Sequence, residues 1–472
     1  MANNHIASNH IASNNADQTS SEKQNQTITP VFVTGSTLRH VLIMTITGSI
    51  GLMAIFCVDL ISLFYISRLG QSTLTAGVGY ASVVLFFATS INIGLMIGVS
   101  ALVGRSIGER NREETVRLGS SGIAFMCAVS VLVTCGLMLS ASFLLTFIGA
   151  QGAAFDVALK FLHITLPSNI LMAIGMGFSG ILRAVGDAKR AMWVTLIGGI
   201  VTAILDPIFI FWLNLGVEGA AIVIVFSRVS FAIVGLYGVL KVHKLIDWPH
   251  KNRLMNDVKR MSTISGPAIL TNLATPFANV FIASNLAHYG DQAVAAGAVI
   301  DRLVVVAFGG LFALSGAVGP ILSQNFGANQ FHRMRQVMKD CVLVSCIYVC
   351  IMWLLLILGR DLIASGFQAT GLTAEIISFF CWISGLMWLT LGLLFTANAC
   401  FNNLGFPFQA TAFNWGRATL GTIPFVMWGA WWQGAQGIYI GTTLGAAVFG
   451  ICAFWVAYRL ITQLELKNKA SH

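Results

Sequence analysis

Charged residues are scarce in this sequence. Only 10% of its 472 residues are Asp, Glu, Lys or Arg, whereas 56% are hydrophobic. A water-soluble domain of this size needs a charged surface to stay dissolved, so the composition excludes that class of protein. The apolar excess, with a mean hydropathy of +0.80, is expected to face lipid.

The sequence also lacks catalytic and metal-binding motifs. None of its nine cysteines forms a CxxC pair, no P-loop is present, and no His, Cys or Ser stands with a base at catalytic spacing. We therefore expect that the protein is not an enzyme and holds no cofactor. Nothing in the sequence predicts an ATP site.

Nucleic acid is not an expected partner, although the formal net charge is +9. The basic residues are concentrated in short tracts between apolar runs, a pattern typical of cytoplasmic loops in membrane proteins. The expected partners are membrane lipids and small molecules, and we expect a monomer. Residues 1–37 are polar, lack the apolar stretch of a signal peptide, and are predicted to form a disordered cytoplasmic tail.

Twelve apolar segments are long enough to cross a bilayer as helices, which requires about 20 residues each. Closed β-barrels are excluded, because barrel strands alternate apolar and polar residues and runs such as 83–97 do not. The predicted spans lie near 39–66, 74–103, 118–148, 157–182, 191–213, 218–240, 262–286, 293–323, 338–358, 374–400, 408–430 and 437–461.

The basic tracts predict the orientation. They follow the second, fourth, sixth and eighth spans, whereas the third, fifth, seventh and eleventh loops carry essentially no Lys or Arg. The positive-inside rule then places both termini in the cytoplasm, and predicts a multi-pass protein of the inner (plasma) membrane. The tracts are Arg105, Arg110, Arg112 and Arg117; Arg183, Lys189 and Arg190; Lys241, Lys244, Lys251, Arg253, Lys259 and Arg260; and Arg333, Arg335 and Lys339.

Short motifs recur about 219 residues apart. FGAN around Gly327 corresponds to IGER around Gly108, and LGFP around Gly405 corresponds to VGDA around Gly186. Six helices per half is an even number, so the halves form a parallel repeat about an axis along the membrane normal. The predicted fold is an all-α membrane protein with twelve transmembrane helices in two pseudo-two-fold-related lobes. The lobes are 38–242 and 261–462, joined by a basic cytoplasmic linker at 243–260 and followed by a cytoplasmic tail at 463–472.

These signals together resemble the multidrug and toxic compound extrusion (MATE) family. The resemblance covers about 40–460. It implies alternating-access antiport of organic, often cationic, drug-like molecules, driven by entry of Na⁺ or H⁺. The matching stretches are FCVDLISLFYISRLG (56–70), GVSALVGRSIGERN (98–111), GILRAVGDAKRA (180–191), ILDPIFIFWLNLGVEGAAI (204–222), GPILSQNFGANQ (319–330) and NWGRATLGTIP (414–424).

Three acids lie well inside the predicted spans: Asp59 in the first, Asp206 in the fifth and Asp301 in the eighth. A carboxylate at the bilayer centre costs roughly 3 kcal/mol on insertion scales, so each acid is expected to face water or a partner. In MATE transporters, acids matching Asp59 and Asp206 form a cation site in the first lobe. The resemblance therefore implies that these two residues bind the coupling ion, H⁺ or Na⁺.

Pro207 follows Asp206 directly. Because proline has no N–H, the carbonyl of Ala203 one turn back loses its helical partner. That carbonyl, the Asp206 carboxylate and the Thr202 hydroxyl form a set of hard oxygens that suits either Na⁺ or a protonatable acid. Two structural alternatives remain open: Asp206 caps a kink, and Asp59 is a solitary packing acid.

This sequence departs from the family pattern at two oxygen ligands. The family often has Asn where Thr202 stands, and a family Thr on the sixth helix corresponds to Ile224. These departures favour proton coupling over high-affinity Na⁺ binding, and exclude neither.

The second half lacks the equivalent acids. Asn279 stands where Asp59 would repeat and Pro424 where Asp206 would, while family acids on helices 7 and 10 correspond to Thr275 and Gly392. Asp301 is followed by Arg302, and adjacent helical residues point about 100° apart. Two alternatives remain open: Asp301, Arg302 and Asn279 form a second-lobe site for the coupling ion or the substrate, or Asp301 and Arg302 each form a structural ion pair with another helix. Two further intramembrane cations, Arg228 and Arg417, are predicted to brace the lobes.

Two other functions share part of this pattern. A lipid-linked oligosaccharide flippase has the same helical plan, usually with extra helices and more basic cavity residues. A channel needs no coupling acids, and the two-fold repeat with the Asp206–Pro207 break favours a carrier. No substrate-binding residue is predicted from the sequence.

Overall fold

The computed structural model describes residues 28–69, 72–248 and 251–470. Within these ranges the regular structure is entirely helical. We number the transmembrane helices in chain order, and several of them contain a short 3₁₀ or π segment.

In the first lobe, α1 is Thr37–Ser67, α2 is Ser72–Gly108 and α3 is Arg112–Phe147. Next, α4 consists of Gly152–Thr165, a 3₁₀ turn at Leu166–Ser168 and Asn169–Val185. The fifth helix, α5, is Ala188–Pro207 continued by a π segment at Ile208–Trp212, and α6 is Gly216–Leu236 continued by another at Tyr237–Val242.

The second lobe has six helices too. They are α7 (Lys251–Ala287), α8 (Asp291–Gly327), α9 (Phe331–Gly366), α10 (Gly371–Leu404), α11 (Pro407–Ala418 with 423–432) and α12 (435–470). Because a π segment follows Pro207 directly, α5 is irregular where the sequence predicts a broken helix.

The last two helices form a tight hairpin. In the described part of the chain, eleven helical stretches are long and apolar enough to span a bilayer, and the eleventh is Pro407–Ala470 with 64 residues. A straight helix of that length would measure about 96 Å, three times the hydrocarbon thickness of about 30 Å. The backbone leaves the helical region at Gln433 and Gly434, where Gly434 has φ +61°. The stretch therefore crosses twice, and twelve transmembrane helices are confirmed.

Each lobe has most of an apolar core to itself. Buried residues of α2 to α6, joined by Met261 and Ile264 of α7, form one cluster, and those at the opposite ends of the first-lobe helices form another. A third cluster is formed by α8 to α12 with Val41 and Met44 of α1. The two lobes meet along α1 with α8 and along α2 with α7. The predicted division into two six-helix lobes is confirmed.

The lobes are closed against each other at one end, which we call the basic end because the loops after α2, α4, α6 and α8 lie there. The Gln324 side-chain amide donates to the Ala184 carbonyl at 2.6 Å across the lobe boundary. The Arg105 guanidinium lies over the Phe326 ring, 4.8 Å from its centroid. Polar side chains in the other half of α1, α7 and α8, including Asp59, Asn279 and Asp301, are exposed. Since polar groups facing lipid are costly, these side chains line a cleft that opens away from the basic end.

The N-terminal segment before α1 differs from the prediction of a disordered tail over 1–37. Residues 1–27 lie outside the described residues, but residues 28–36 are packed at the basic end. Phe32 is 2% exposed and belongs to the second-lobe core. Its backbone N–H donates to Gln324 at 2.9 Å, and Arg333 donates to its carbonyl at 3.0 Å. Burial of Phe32 and its hydrogen bond from Arg333 therefore order residues 28–36, although their composition alone indicates disorder.

The linker and the C-terminal tail also differ from their predicted boundaries. Helix α7 begins at Lys251, so much of the predicted linker 243–260 is helical, and α12 continues through the predicted tail to Ala470. The Asp257 carboxylate accepts a hydrogen bond from Ser121 on α3 at 3.0 Å. The Arg335 side chain pairs with Glu465 on α12. These polar contacts extend both helices beyond the apolar segments.

We expect Gly108→Ala to weaken the closure at the basic end. A Cβ on Gly108 would lie 2.1 Å from the backbone oxygen of Gln324, so one lobe must move away. Overpacking costs about 1–3 kcal/mol, which corresponds to a shift of roughly 5- to 150-fold in the closed-to-open ratio. Amide hydrogen exchange in residues 320–327 should accelerate accordingly.

Gly136→Ala is the matched control, because a Cβ there meets nothing within 4 Å. Equal exchange in both variants and the wild type would show that this contact does not hold the lobes together.

Candidate cation-coupling site

Asp206 is held inside the first lobe by a hydroxyl group. Asp206 is 1% exposed, and the Ser62 hydroxyl on α1 donates a hydrogen bond to the Asp206 carboxylate. This contact joins α1 to α5 within the span. The sequence reasoning missed Ser62, although its position three residues after Asp59 places both on one face of α1.

Asp59 lies beside this hydrogen bond. It is close enough to Asp206 and to Arg228 for direct electrostatic interaction, and its side chain is exposed. The structure therefore brings together the two acids singled out from the sequence. One carboxylate is buried and the other is reachable through the cleft.

Small residues allow α1 and α5 to approach. A Cβ on Gly51 of α1 would lie 2.3 Å from the Thr195 hydroxyl oxygen on α5, which leaves no room for a side chain there. Membrane helices pack closely where such small residues lie at the contact. Ser62 and Asp206 each lie eleven residues, about three turns, further along α1 and α5, so this packing sets the position of the acid pair.

Arg228 supplies the positive charge of the site. It is 8% exposed, and its guanidinium donates to the Thr165 carbonyl at 2.8 Å and to the Ser168 hydroxyl at 2.9 Å. Ser168 ends the 3₁₀ turn of α4 and Thr165 directly precedes it; within the turn the Asn169 N–H bonds to the Leu166 carbonyl. The structure agrees with the predicted bracing role of Arg228: within the first lobe, its side chain joins α6 to the break in α4.

Thr202 and Ala203 line the same stretch of α5. The Thr202 hydroxyl donates to the Gly198 carbonyl at 3.0 Å, one turn back. Its oxygen keeps a free lone pair for a cation, but the residue is only 7% exposed. The roles of the Thr202 hydroxyl and the Ala203 carbonyl as ligands stay predictions.

The second-lobe candidates do not form a comparable cluster. Asn279, Asp301 and Arg302 all have exposed side chains. Among the described residues, Asp301 and Arg302 take part in none of the ion pairs. Asp301 lies within electrostatic range of the Tyr439 hydroxyl on α12. This arrangement does not support the ion-pair alternative, and a second-lobe site stays a prediction.

Comparison with known proteins gives the family. A model of the MatE family matches residues 49–208 and 267–428. The chain belongs to the MatE family. The two matched ranges fall one in each lobe and begin 218 residues apart, in agreement with the internal repeat. MatE is a family of transporters rather than of enzymes.

Two curated relatives cover most of this chain. A protein of Shewanella oneidensis named "FAD transporter" is 26% identical over 433 residues, which is 89% of this chain and 94% of the relative. The "Multidrug export protein MepA" of Staphylococcus aureus is 26% identical over 361 residues, 74% of this chain and 78% of the relative.

Solved structures share the fold. The Vibrio cholerae MATE transporter VcmN in the bent form superposes with a TM-score of 0.85 at 23% identity, covering 91% of this chain and 98% of that one. An outward-facing multidrug resistance MATE family transporter of the MOP superfamily gives 0.86 at 20% identity, with coverages of 93% and 99%. At these identities the likeness shows the fold alone.

We expect Arg228→Met to destabilise the first lobe. The substitution removes two buried hydrogen bonds from a charged donor, each of the kind worth about 1.5–3 kcal/mol, and leaves Asp59 without its nearby cation. The melting temperature in detergent should fall clearly.

Arg228→Lys keeps the positive charge but not the bidentate guanidinium geometry. Its melting temperature should lie between those of the wild type and the Met variant. A Met variant as stable as the wild type would show that Arg228 does not hold the break in α4.

Proposed function

We propose that this protein is a secondary active exporter of organic molecules in which the Asp59–Asp206 pair couples transport to the entry of H⁺. The observation that carries this proposal is the pairing of the two carboxylates. One is buried and hydrogen-bonded to Ser62, and the other is exposed within its electrostatic range.

The ligand set supports H⁺ rather than Na⁺ as the coupling ion. Two carboxylates and one guanidinium leave a single negative charge, which one H⁺ or one Na⁺ would neutralise equally, so the charge balance does not distinguish the two ions. A sodium ion needs several oxygen ligands, whereas a proton needs only one carboxylate. The family oxygen ligand that corresponds to Ile224 is missing from this chain, and Thr202 stands where the family often has Asn. The altered ligand set therefore favours H⁺.

The proposed cycle uses the contact between α1 and α5. With the basic end closed, Asp59 is reached from the opposite side, which the positive-inside rule assigns to the outside of the cell. A proton that arrives there changes the charge between α1 and α5 and weakens the hold of Asp206 on Ser62. The resulting shift of α1, which contacts α8 of the other lobe, favours release of substrate outward and lets the lobes rock.

The nature of the cargo is supported only by relatives. One is named a FAD transporter and another a multidrug export protein, so small organic molecules are the shared class. The sequence-based expectation of organic cations stays a prediction.

We expect Asp59→Asn and Asp206→Asn each to reduce ion-driven efflux to the level of cells without the protein, because neither variant retains the acid pair. Efflux of a fluorescent dye from energised cells measures this, with expression checked by immunoblot. Asp156→Asn is the control, since Asp156 is an exposed acid outside the site. Full efflux in both site variants would refute the role of the pair.

The coupling ion is tested in proteoliposomes with a pH gradient and a Na⁺ gradient imposed separately. We expect transport under the pH gradient alone. Transport that requires Na⁺ and ignores pH would contradict the proton-coupled cycle, and transport under neither gradient would contradict secondary active transport itself.

A further inference from the structure

A second intramembrane arginine, Arg417 on α11, is buried without a matching acid. The residue is 8% exposed. Its Nη2 donates a hydrogen bond to the Thr275 hydroxyl at 3.2 Å, and its Nε has no hydrogen-bond partner among the described residues. Among the described residues, no carboxylate forms an ion pair with it. A buried guanidinium in this state is costly unless something compensates its charge.

The helix break next to Arg417 does not use this charge. Helix α11 is interrupted after Ala418, and the carbonyls freed there have other donors. The Gly421 N–H bonds to the Gly416 carbonyl at 2.9 Å, and the Thr422 hydroxyl bonds to the Arg417 carbonyl at 2.8 Å. This differs from Arg228, whose guanidinium satisfies the break in α4. A capping role therefore does not explain Arg417.

The arginine lies beside a polar face of α7. Asn272, Thr275 and Asn279 are spaced by three and four residues, so they lie along one side of that helix. The side chains of Thr275 and Asn279 are exposed in the half of α7 that lies away from the basic end. Polar residues of a transmembrane helix usually face a protein interior or a water-filled cavity. Thr275 therefore faces the cleft, and its hydrogen bond to Arg417 places the guanidinium next to the cleft.

We propose that Arg417 and the polar face of α7 form a binding site for an oxyanion, a carboxylate or phosphate group carried by the transported molecule. This inference rests on the proposed transport function and adds the chemical class of the cargo. The guanidinium fork matches carboxylate and phosphate oxygens in a bidentate geometry. The exposed Thr275 hydroxyl provides a further donor next to it.

The charges of the two lobes support this division of roles. In the first lobe, Arg228 is accompanied by Asp59 and Asp206, so the acids there are available for a coupling proton. In the second lobe, Asn279 and Pro424 replace the two acids, and Arg417 is left with an excess positive charge. A cargo with an acidic group would complete the charge balance of the second lobe without competing for the proton site.

Binding of matched probes to the purified protein in detergent, followed by fluorescence without any ion gradient, tests the proposal. Riboflavin and riboflavin 5′-phosphate differ by a phosphate, and rhodamine 123 and rhodamine 110 differ by an ester in place of a carboxylate. We expect the acidic member of at least one pair to bind about tenfold or more tightly than its partner. The pair that shows the difference identifies the oxyanion.

Arg417→Gln should abolish this preference while leaving the affinity for the uncharged or esterified member unchanged, and Arg417→Lys should retain part of it. A variant that misfolds would lose both members of a pair, so the ratio separates binding from stability. Absence of a preference in the wild type, or a preference that persists in Arg417→Gln, would overturn the proposal. Because no gradient is used, failure of ion coupling leaves this result unaffected.

Discussion

A carboxylate inside the hydrocarbon layer must be neutralised, hydrogen-bonded or reached by water, and this constraint organises the first lobe. Asp206 is buried and depends on the Ser62 hydroxyl, while Asp59 stays exposed to the cleft beside Arg228. The close contact at Gly51 brings α1 and α5 together, and Arg228 on α6 ties the same region to the break in α4. Movement of a proton onto this cluster therefore acts on α1, α5 and α6 and, through Arg228, on α4.

The two lobes share a fold but not a charge balance. The repeat places corresponding motifs about 219 residues apart, so each lobe has the same helical frame. The two paired acids lie at the first lobe's α1–α5 contact, whereas the corresponding contact of the second lobe contains Arg417 and Thr275. Lobe closure at the basic end, through Gln324 and the segment around Phe32, keeps both regions open to the same side. The asymmetry allows one lobe to handle the coupling ion and the other to bind cargo.

Much of the architecture could be predicted because it depends on local patterns. Apolar run lengths indicate the spans, and the cost of an acid in lipid singles out Asp59 and Asp206. Contacts between distant segments could not be predicted in this way. Nothing in the sequence distinguishes Ser62 from other serines, because its role depends on the position of Asp206 on α5. Phe32 belongs to a segment whose composition predicts disorder, yet it is buried in the core. The partners of Arg228 depend on a 3₁₀ turn 60 residues away, and the unmet hydrogen bond of Arg417 is visible only once its surroundings are packed.

The central claim is that Asp59 and Asp206 together hold one exchangeable proton. Infrared difference spectroscopy of the purified protein, taken across a pH titration without sodium, observes the protonated carboxyl group directly. The account predicts one carboxylic acid band that titrates in the wild type and is lost in either Asp→Asn variant at these positions. A band that persists unchanged in both variants, or the absence of any titrating carboxylic acid band in the wild type, would contradict it.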